Sequence, residues 1–214
     1  YLEFEIANDT QREQAFRRMA QKGANPIIGI GFTQASALEK VAKEFPQLKF
    51  AIVDMVVNLP NVQSVVFKEQ EGSFLAGMAA AMASRSGKVG FIGGMDVPLI
   101  RRFQCGYEQG AKYANPKAET LSNMTGTTPA AWSDPTRGGE LARNQFSRGV
   151  DVIFAAAGGT GVGVYQAAKD QGRLAIGVDS NQNHLHPGTM LTSMVKRVDV
   201  AVFNIARSVK DNRW

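Results

Sequence analysis

The fold class is decided by two neighbouring stretches, Val152-Ile-Phe-Ala-Ala-Ala-Gly-Gly-Thr-Gly-Val-Gly163 and Leu174-Ala-Ile-Gly-Val-Asp179. Each part contains a short apolar run, and the segment between the runs has helical periodicity and ends at Gly172. Continuous apolar runs are typical of strands that are buried on both faces, and such strands alternate with helices in parallel sheets. The stretch therefore predicts a strand, a helix and a second strand, which is the repeating unit of an α/β fold.

The same alternation extends along the chain in both directions and predicts nine strands and seven helices. We expect strands at residues 2–6, 26–30, 50–54, 62–67, 88–92, 119–124, 152–156, 174–178 and 191–195. We expect helices at residues 9–21, 33–45, 72–84, 98–114, 135–148, 161–171 and 198–214. Two sheets are favoured over one, because residues 62–67 are followed by a polar segment and a helix of small residues, where the chain changes partners. Since no flexible linker is visible, short crossing strands are expected to join the two lobes.

Length and composition exclude several classes of protein. The 214 residues include 24 lysines and arginines, 19 aspartates and glutamates, and one cysteine. At this length roughly 70% of the unfolded surface can be buried, so the fold needs neither a disulfide nor a structural metal. The longest apolar stretch, 74–83, is far shorter than the ~20 residues of a transmembrane helix. The basic residues are scattered in runs of at most two, so we expect no nucleic-acid partner.

Candidate ligand-binding residues follow the predicted strands, because ligands of open α/β sheets bind beyond the carboxyl ends of the strands. Asp54 and Asp179 each end an apolar strand, and the loop from Gly158 to Gly163 follows another. This loop imitates a dinucleotide fingerprint, with Asp179 twenty residues after Gly159, but its third glycine is one position early. We interpret the loop as a helix N-terminus that needs glycines because another backbone or a ligand comes close. An NAD-dependent enzyme is kept as an alternative.

Patterns of catalytic and metal-binding residues are weak. We interpret Cys105 as a small packing residue of a helix, since a nucleophile needs a base beside it. His184 and His186 lie in one loop before Pro187, and a turn explains them as well as a metal would. We therefore predict a protein that is not an enzyme, with no catalytic residue, metal or cofactor.

Trp132 and Lys196 are the remaining candidates. Trp132 stands in a polar loop between a strand end and a helix. A lone tryptophan there either plugs the edge of a sheet or offers a flat apolar plate to a planar ligand, and we favour the plate. Lys196 ends the run Thr192-Ser-Met-Val-Lys and, on local evidence alone, is typical of a solvated charge at a strand end.

Four motifs together resemble the basic membrane protein family of substrate-binding lipoproteins, in particular its purine nucleoside receptor branch. They are Val65-Val-Phe-Lys-Glu-Gln-Glu-Gly-Ser-Phe-Leu-Ala-Gly77, Lys88-Val-Gly-Phe-Ile-Gly-Gly-Met-Asp96, Phe103-x-x-Gly-Tyr-x-x-Gly110 and Ile176-Gly-Val-Asp-Ser-Asn-Gln182. The resemblance covers essentially all of the chain. It implies a type I periplasmic binding protein, with two α/β lobes of parallel sheets joined by crossing strands and a ligand in the cleft. The lobes are expected at residues 1–67 with 193–214 and at residues 68–192.

The resemblance also implies a function and a set of site residues. It implies capture of adenosine, guanosine or inosine for the permease of an ABC importer, at the periplasmic or extracytoplasmic membrane surface and with a lipoprotein anchor. The implied ligand contacts come from the strand ends: Asp54 and Asp179 to ribose hydroxyls or the base, Trp132 to the purine face, Gly158 and Gly159 through their backbone, and Lys196 to the sugar. Two alternatives stay open, a ligand-sensing domain of a transcription regulator and a binding protein for another heterocycle such as riboflavin.

The sequence departs from the family pattern at its two ends. The family begins with a strand and a helix that carry an Asp-x-Ser-Phe-Asn type of motif, and it ends with a further strand and helix. Neither is found in the sequence, so we expect the N-terminal lobe to be incomplete. An unpaired position in its sheet would favour an oligomer or a strand swap.

Overall fold

A computed structural model describes residues 2–6 and 9–214 of the chain. The strands are β1 (Ile27–Ile30), β2 (Phe50–Val53), β3 (Val62–Val65), β4 (Lys88–Met95), β5 (Glu119–Gly126), β6 (Val152–Ala156), β7 (Leu174–Asp179) and β8 (Met190–Val195). The α-helices are α1 (Arg12–Gln21), α2 (Ala35–Glu44), α3 (Glu69–Ala83), α4 (Pro98–Ala114), α5 (Pro135–Ser147), α6 (Gly161–Asp170) and α7 (Val198–Lys210). The predicted α/β class is confirmed. Over the described ranges, no helix is both long enough and apolar enough to cross a bilayer.

The strand predicted at residues 2–6 is wrong. These residues form no regular element, and the side chains of Leu2 and Phe4 are 49% and 41% exposed. Their alternating apolar and charged residues fit a half-buried strand, but a strand also needs a neighbour that supplies ladder hydrogen bonds. Among the described residues, the two sheets pair no strand with this segment.

Two compact units make up the described chain. The first comprises the residues up to Phe67 together with Arg197–Trp214, and the second comprises Lys68–Lys196. Strand β8 stays paired with β7 as far as Val195. Residues 193–195, which the sequence analysis assigned to the first lobe, therefore lie in the sheet of the second unit.

The first unit is built on a three-stranded parallel sheet in the order β1-β2-β3. All four side chains of the central strand β2 are buried. Its core joins Phe16 of α1 and Leu38 and Val41 of α2 to Phe50 and Ile52 of β2. The apolar face of each helix is therefore buried by the sheet that the short apolar runs form.

The second unit is a five-stranded parallel sheet in the order β5-β4-β6-β7-β8. One core cluster contains side chains of α3 and α4, with Phe91 and Phe154 from the sheet. The other contains side chains of α5 and α6, with Ile92 and Ile153 from the same two strands. Because neighbouring residues of a strand point to opposite faces, β4 and β6 are buried on both sides, as their continuous apolar runs predict.

The small-residue helix α3 packs against another helix. Glycines at three contact positions let α3 approach α4 to backbone contact: Gly77 lies against the carbonyl of Tyr107, Gly106 against that of Gln70, and Gly110 against that of Phe74. A Cβ at any of these glycines would overlap the facing carbonyl group. The small residues of α3 therefore serve its contact with a helix.

Candidate functional site

The carboxyl ends of the five parallel strands of the second unit meet at one edge of the sheet, here called the carboxyl edge: the ends of β4 to β8 and the residues that follow them. Strand β4 lies between β5 and β6. After β4 the chain forms β5 on one side of it and then crosses to form β6 on the other side, so the direction of strand order reverses at β4. Such a switch point is where open α/β sheets bind ligands. Trp132, Gly158, Asp179 and Lys196 all follow or end strands of this edge.

Trp132 lies at the switch point. It ends a short 3-10 helix after β5, and its indole packs against Gly94 of β4 and Gly158 after β6. A Cβ at Gly94 would overlap the six-membered ring, and one at Gly158 would lie 3.5 Å from Cε3. Gly158 has a φ of 56°, a conformation that glycine adopts without strain. The half-buried indole therefore lies on backbone, with part of its surface exposed.

Hydrogen bonds hold the loop that carries Trp132. The carbonyl of Ala131 accepts the hydroxyl of Thr160 at 2.7 Å and that of Thr125 at 2.9 Å. The oxygen of Thr160, which is fully buried, in turn accepts the backbone N–H of Asp134 at 2.8 Å. These bonds join the tryptophan loop to the glycine loop and to the end of β5. Side chains that are fixed in this way suit a preorganised binding surface.

Packing within the protein accounts for the glycine pattern that resembles a dinucleotide fingerprint. Gly163, the misplaced third glycine, lies against the carbonyl of Pro135 at the start of α5. Gly138 lies against the carbonyl of Thr160 in the same helix pair. The interpretation that another backbone comes close is confirmed, and the glycines alone do not indicate a nicotinamide site.

Asp179 is exposed at the end of β7 and has a left-handed backbone with a φ of 66°. Its carbonyl accepts the backbone N–H of Lys196 at 2.8 Å, which joins the ends of β7 and β8. The loop after it is held by Gln182, whose Oε1 accepts the hydroxyl of Tyr165 and the N–H of Val178, both at 2.9 Å. Burial raises the pKa of Tyr165, and the negative charge of Asp179 raises it further. The phenol therefore remains a hydrogen-bond donor at neutral pH.

Lys196 is buried, which corrects the local interpretation of a solvated charge. Its side chain is 6% exposed, and its ammonium lies 3.9 Å from Oε1 of Glu69 and 5.8 Å from the centre of the Phe103 ring. Oε2 of Glu69 accepts the Nε–H of Arg102 at 2.9 Å. Sequence reasoning missed Glu69, Arg102 and Phe103. The first and last lie inside quoted motifs, but the motifs do not reveal that the carboxylate of Glu69 is buried.

Asp54 belongs to the first unit, at the carboxyl end of β2. It has a left-handed φ of 73°, is half-buried, and donates its backbone N–H to the carbonyl of Val65 at 2.9 Å. Ile30, which ends β1, and Met55 and Val56, which follow Asp54, are 57%, 45% and 65% exposed. This edge of the first sheet therefore combines a carboxylate with apolar surface.

Cys105, His184 and His186 take no part in a recognisable site. Cys105 is exposed on α4, so its interpretation as a packing residue is wrong; it faces away from the buried side of that helix. The carbonyl of His186 accepts two backbone N–H groups, as in a turn. Within residues 2–6 and 9–214, no group of three or more His, Cys, Asp or Glu side chains is arranged to hold a metal ion.

Comparison with known proteins gives a family. A family model described as "ABC transporter substrate-binding protein PnrA-like" (Bmp) matches residues 1–214. Basic membrane protein D of Borreliella burgdorferi (strain JD1) is 39% identical over 190 residues, which are 86% of this chain and 54% of that protein. The chain thus spans about half the length of the curated relatives it matches.

Two solved structures have the same fold. An ABC transporter solute-binding protein from Aeropyrum pernix K1 matches with a TM-score of 0.87 and 32% identity, over 98% of this chain and 61% of that one. A transcriptional activator of the comK gene from Bacillus halodurans matches with a TM-score of 0.82 and 28% identity, over 97% of this chain and 71% of that one. These matches confirm the type I periplasmic binding protein fold.

Proposed function

The chain belongs to the Bmp family of PnrA-like ABC transporter substrate-binding proteins, and from this premise we propose that it captures a purine nucleoside and delivers it to the permease of an ABC importer. The observation that carries the proposal is the composition of the carboxyl edge. There an indole supported by backbone shares one sheet edge with a carboxylate and a buried ammonium. A purine and its ribose present the complementary groups, a flat face and a row of hydroxyls.

In this proposal Trp132 binds the base. Stacking on an aromatic ring contributes about 1–3 kcal/mol per base and accepts any purine. The hydrogen bonds of Thr160 and Thr125 to Ala131 hold the loop of Trp132 in place before the ligand arrives. Gly158 and Gly159, which follow β6, would offer backbone groups to the ligand at the same place.

Asp179 and Lys196 would bind the sugar. A carboxylate can accept hydrogen bonds from two neighbouring hydroxyls, and such charge-assisted bonds are roughly twice as strong as neutral ones. The bond between the backbones of Lys196 and Asp179 keeps the two residues next to each other. Asp54, which follows β2, would contribute a second carboxylate. The permease would recognise the loaded receptor at the extracytoplasmic membrane surface, where a lipid anchor would hold it.

Calorimetry and thermal shift of the intact protein test the proposal. The panel is adenosine, guanosine and inosine, with free ribose, free purine bases and riboflavin as controls. We expect a nucleoside to bind and to raise the melting temperature, and the separate base and sugar to bind far more weakly. Tight binding of riboflavin, or of ribose alone, with no response to nucleosides would contradict the proposal.

A ligand-sensing role in transcription is the second candidate, favoured by the likeness to the Bacillus halodurans activator. A receptor for import would bind the permease in a nucleoside-dependent manner. A regulator would instead change transcription of a reporter when the nucleoside is added to cells that lack the permease. Measuring both responses separates the two roles.

A further inference from the structure

Glu69 is a buried carboxylate that the proposed contacts with ligand do not use. It is the first residue of α3 and is fully buried. Arg102 donates a hydrogen bond to one of its oxygens, Oε2, at 2.9 Å. The other, Oε1, accepts no hydrogen bond from the part of the chain that the structure describes. A buried carboxylate oxygen without a donor is costly and indicates a role beyond packing.

Oε1 of Glu69 points towards Lys196. The distance of 3.9 Å to Nζ is an ion pair but is longer than a hydrogen bond. Packing of α3 against β8 creates this pair. Gly72 of α3 lies against the side chain of Met194, and a Cβ added at Gly72 would be 2.8 Å from Cε of Met194. Glu69 is one turn before Gly72, and Lys196 is two residues after Met194. The contact between helix and strand therefore brings the two charges together.

The environment leaves the ammonium of Lys196 little freedom. Its side chain is 94% buried, with the ring of Phe103 5.8 Å from Nζ. A buried ammonium needs compensating charge, and the carboxylate of Glu69 lies within ion-pair distance of it. Without the carboxylate, Lys196 and Arg102 would be two cations at one place, and Lys196 would move away from Arg102.

We propose that Glu69 is the positioning residue that directs the ammonium of Lys196 towards the sugar of the bound nucleoside. The inference builds on the proposed function, in which Lys196 binds the sugar. A site built to hydrogen-bond a hydroxyl rejects the analogue that lacks it, because the polar group of the site is left unpaired. Through Lys196, Glu69 therefore determines how strongly the protein prefers ribose to deoxyribose.

The test measures the affinities for adenosine, guanosine and inosine and for their 2′-deoxy and 3′-deoxy analogues by calorimetry. The variants are Glu69→Gln, Lys196→Met and the double variant. We expect each single variant to bind the ribonucleoside about tenfold more weakly and to lose most of the discrimination against one deoxy analogue. In the double variant, the loss should be no greater than that of Lys196→Met alone, because Glu69 acts through Lys196.

Two further variants separate positioning from a structural role. Glu119→Gln removes the same charge from an exposed pair with Lys88 at the opposite edge of the same sheet, and should keep the affinity and the discrimination. Glu69→Asp keeps the charge but withdraws it from Lys196 by one methylene group. It should fold even if Glu69→Gln does not, and should still reduce the discrimination. Far-ultraviolet circular dichroism and thermal unfolding report the fold of each variant.

The outcomes are distinct. Unchanged discrimination in folded Glu69→Gln or Glu69→Asp, while the wild type binds nucleosides, would overturn this inference and leave the proposed function intact. If Glu69→Gln weakened nucleoside binding as much in the Lys196→Met background as it does in the wild type, that result would also overturn this inference. A wild-type protein that binds no nucleoside would overturn both the inference and the proposed function.

Discussion

Asp54 and Asp179 have the same rare backbone conformation, with φ of 73° and 66°, each at the carboxyl end of a parallel strand of its own sheet. Left-handed φ values are uncommon outside glycine, and aspartate and asparagine adopt them more readily than most residues. Backbone strain of this kind is concentrated at functional sites. The shared conformation therefore supports the same role for both aspartates, one from each unit.

The backbone of Asp54 gives a prediction on stability. A β-branched residue is strained at positive φ, whereas glycine is not. We expect Asp54→Val to be about 1–2 kcal/mol less stable than Asp54→Gly in chemical unfolding. Both variants lose the same carboxylate, so the difference isolates the backbone. Equal stabilities would show that the left-handed conformation of Asp54 carries no strain.

Asp179 gives a prediction on binding. Asparagine tolerates the left-handed backbone but lacks the charge, so Asp179→Asn should fold normally and bind nucleosides at least about tenfold more weakly in calorimetry. Asp170→Asn, an exposed change at the end of α6, serves as the control and should bind as the wild type does. If Asp179→Asn kept its full affinity, Asp179 would have to be removed from the site.

The glycine beneath the indole gives a third prediction. A Cβ at Gly94 would overlap the ring of Trp132, so Gly94→Ala should displace the indole and weaken nucleoside binding about tenfold or more. Fluorescence in a Trp214→Phe background, where Trp132 is the remaining tryptophan, should report the displacement. Gly126→Ala is the matched control, since its Cβ would lie at an ordinary 3.4 Å from that of Ala131. Unaltered emission and affinity in Gly94→Ala would contradict the packing described for Trp132.

An exposed ion pair of the first unit gives a prediction on pH. Arg17 of α1 donates two hydrogen bonds to Glu44 of α2, at 2.8 and 2.7 Å, and lowers the pKa of Glu44 below its ordinary 4.5. A carboxyl with a depressed pKa stabilises the fold above its unfolded pKa, and that contribution is lost as the pH falls through the folded value. The unfolding midpoints of wild type and Glu44→Gln should therefore differ slightly at pH 7, because the pair is exposed, and converge at pH values below 4.5. If the difference between the two unfolding midpoints stayed constant down to the most acidic sample, the Arg17–Glu44 ion pair would not be its cause.

Much of the fold follows from local sequence. Each strand of the described residues overlaps a predicted one. The central strands β2 and β6 are entirely buried and are continuous apolar runs, because burial on both faces of a parallel sheet requires them. The edge strand β5 is partly exposed and mixes polar with apolar residues. The segment 2–6 shows the limit of this reasoning: its pattern is that of a strand, but pairing depends on a neighbour that the pattern does not specify. The positions of the strand ends likewise placed Asp179 and Trp132 at the carboxyl edge. This part of the reasoning needs only the strand assignments, because ligands of open α/β sheets bind beyond the carboxyl ends of the strands.

The cluster around Lys196 could not be predicted in the same way. Glu69 begins a helix with other polar residues, which is typical of a solvated first turn. Its burial depends on contacts with α4 and β8, which are distant in the sequence. Cys105 illustrates the reverse case: its residue type favours burial, but its position on α4 faces solvent.

The support beneath Trp132 has a consequence for how such a receptor can diversify. Peptide groups of Gly94 and Gly158 have no rotamers, so this support does not depend on the conformation of a side chain. If the chain binds nucleosides as proposed, variation around Trp132 would change which heterocycle is preferred while the stacking surface stays constant. An engineer who seeks a sensor for a new base would therefore keep these two glycines and randomise the polar positions around them.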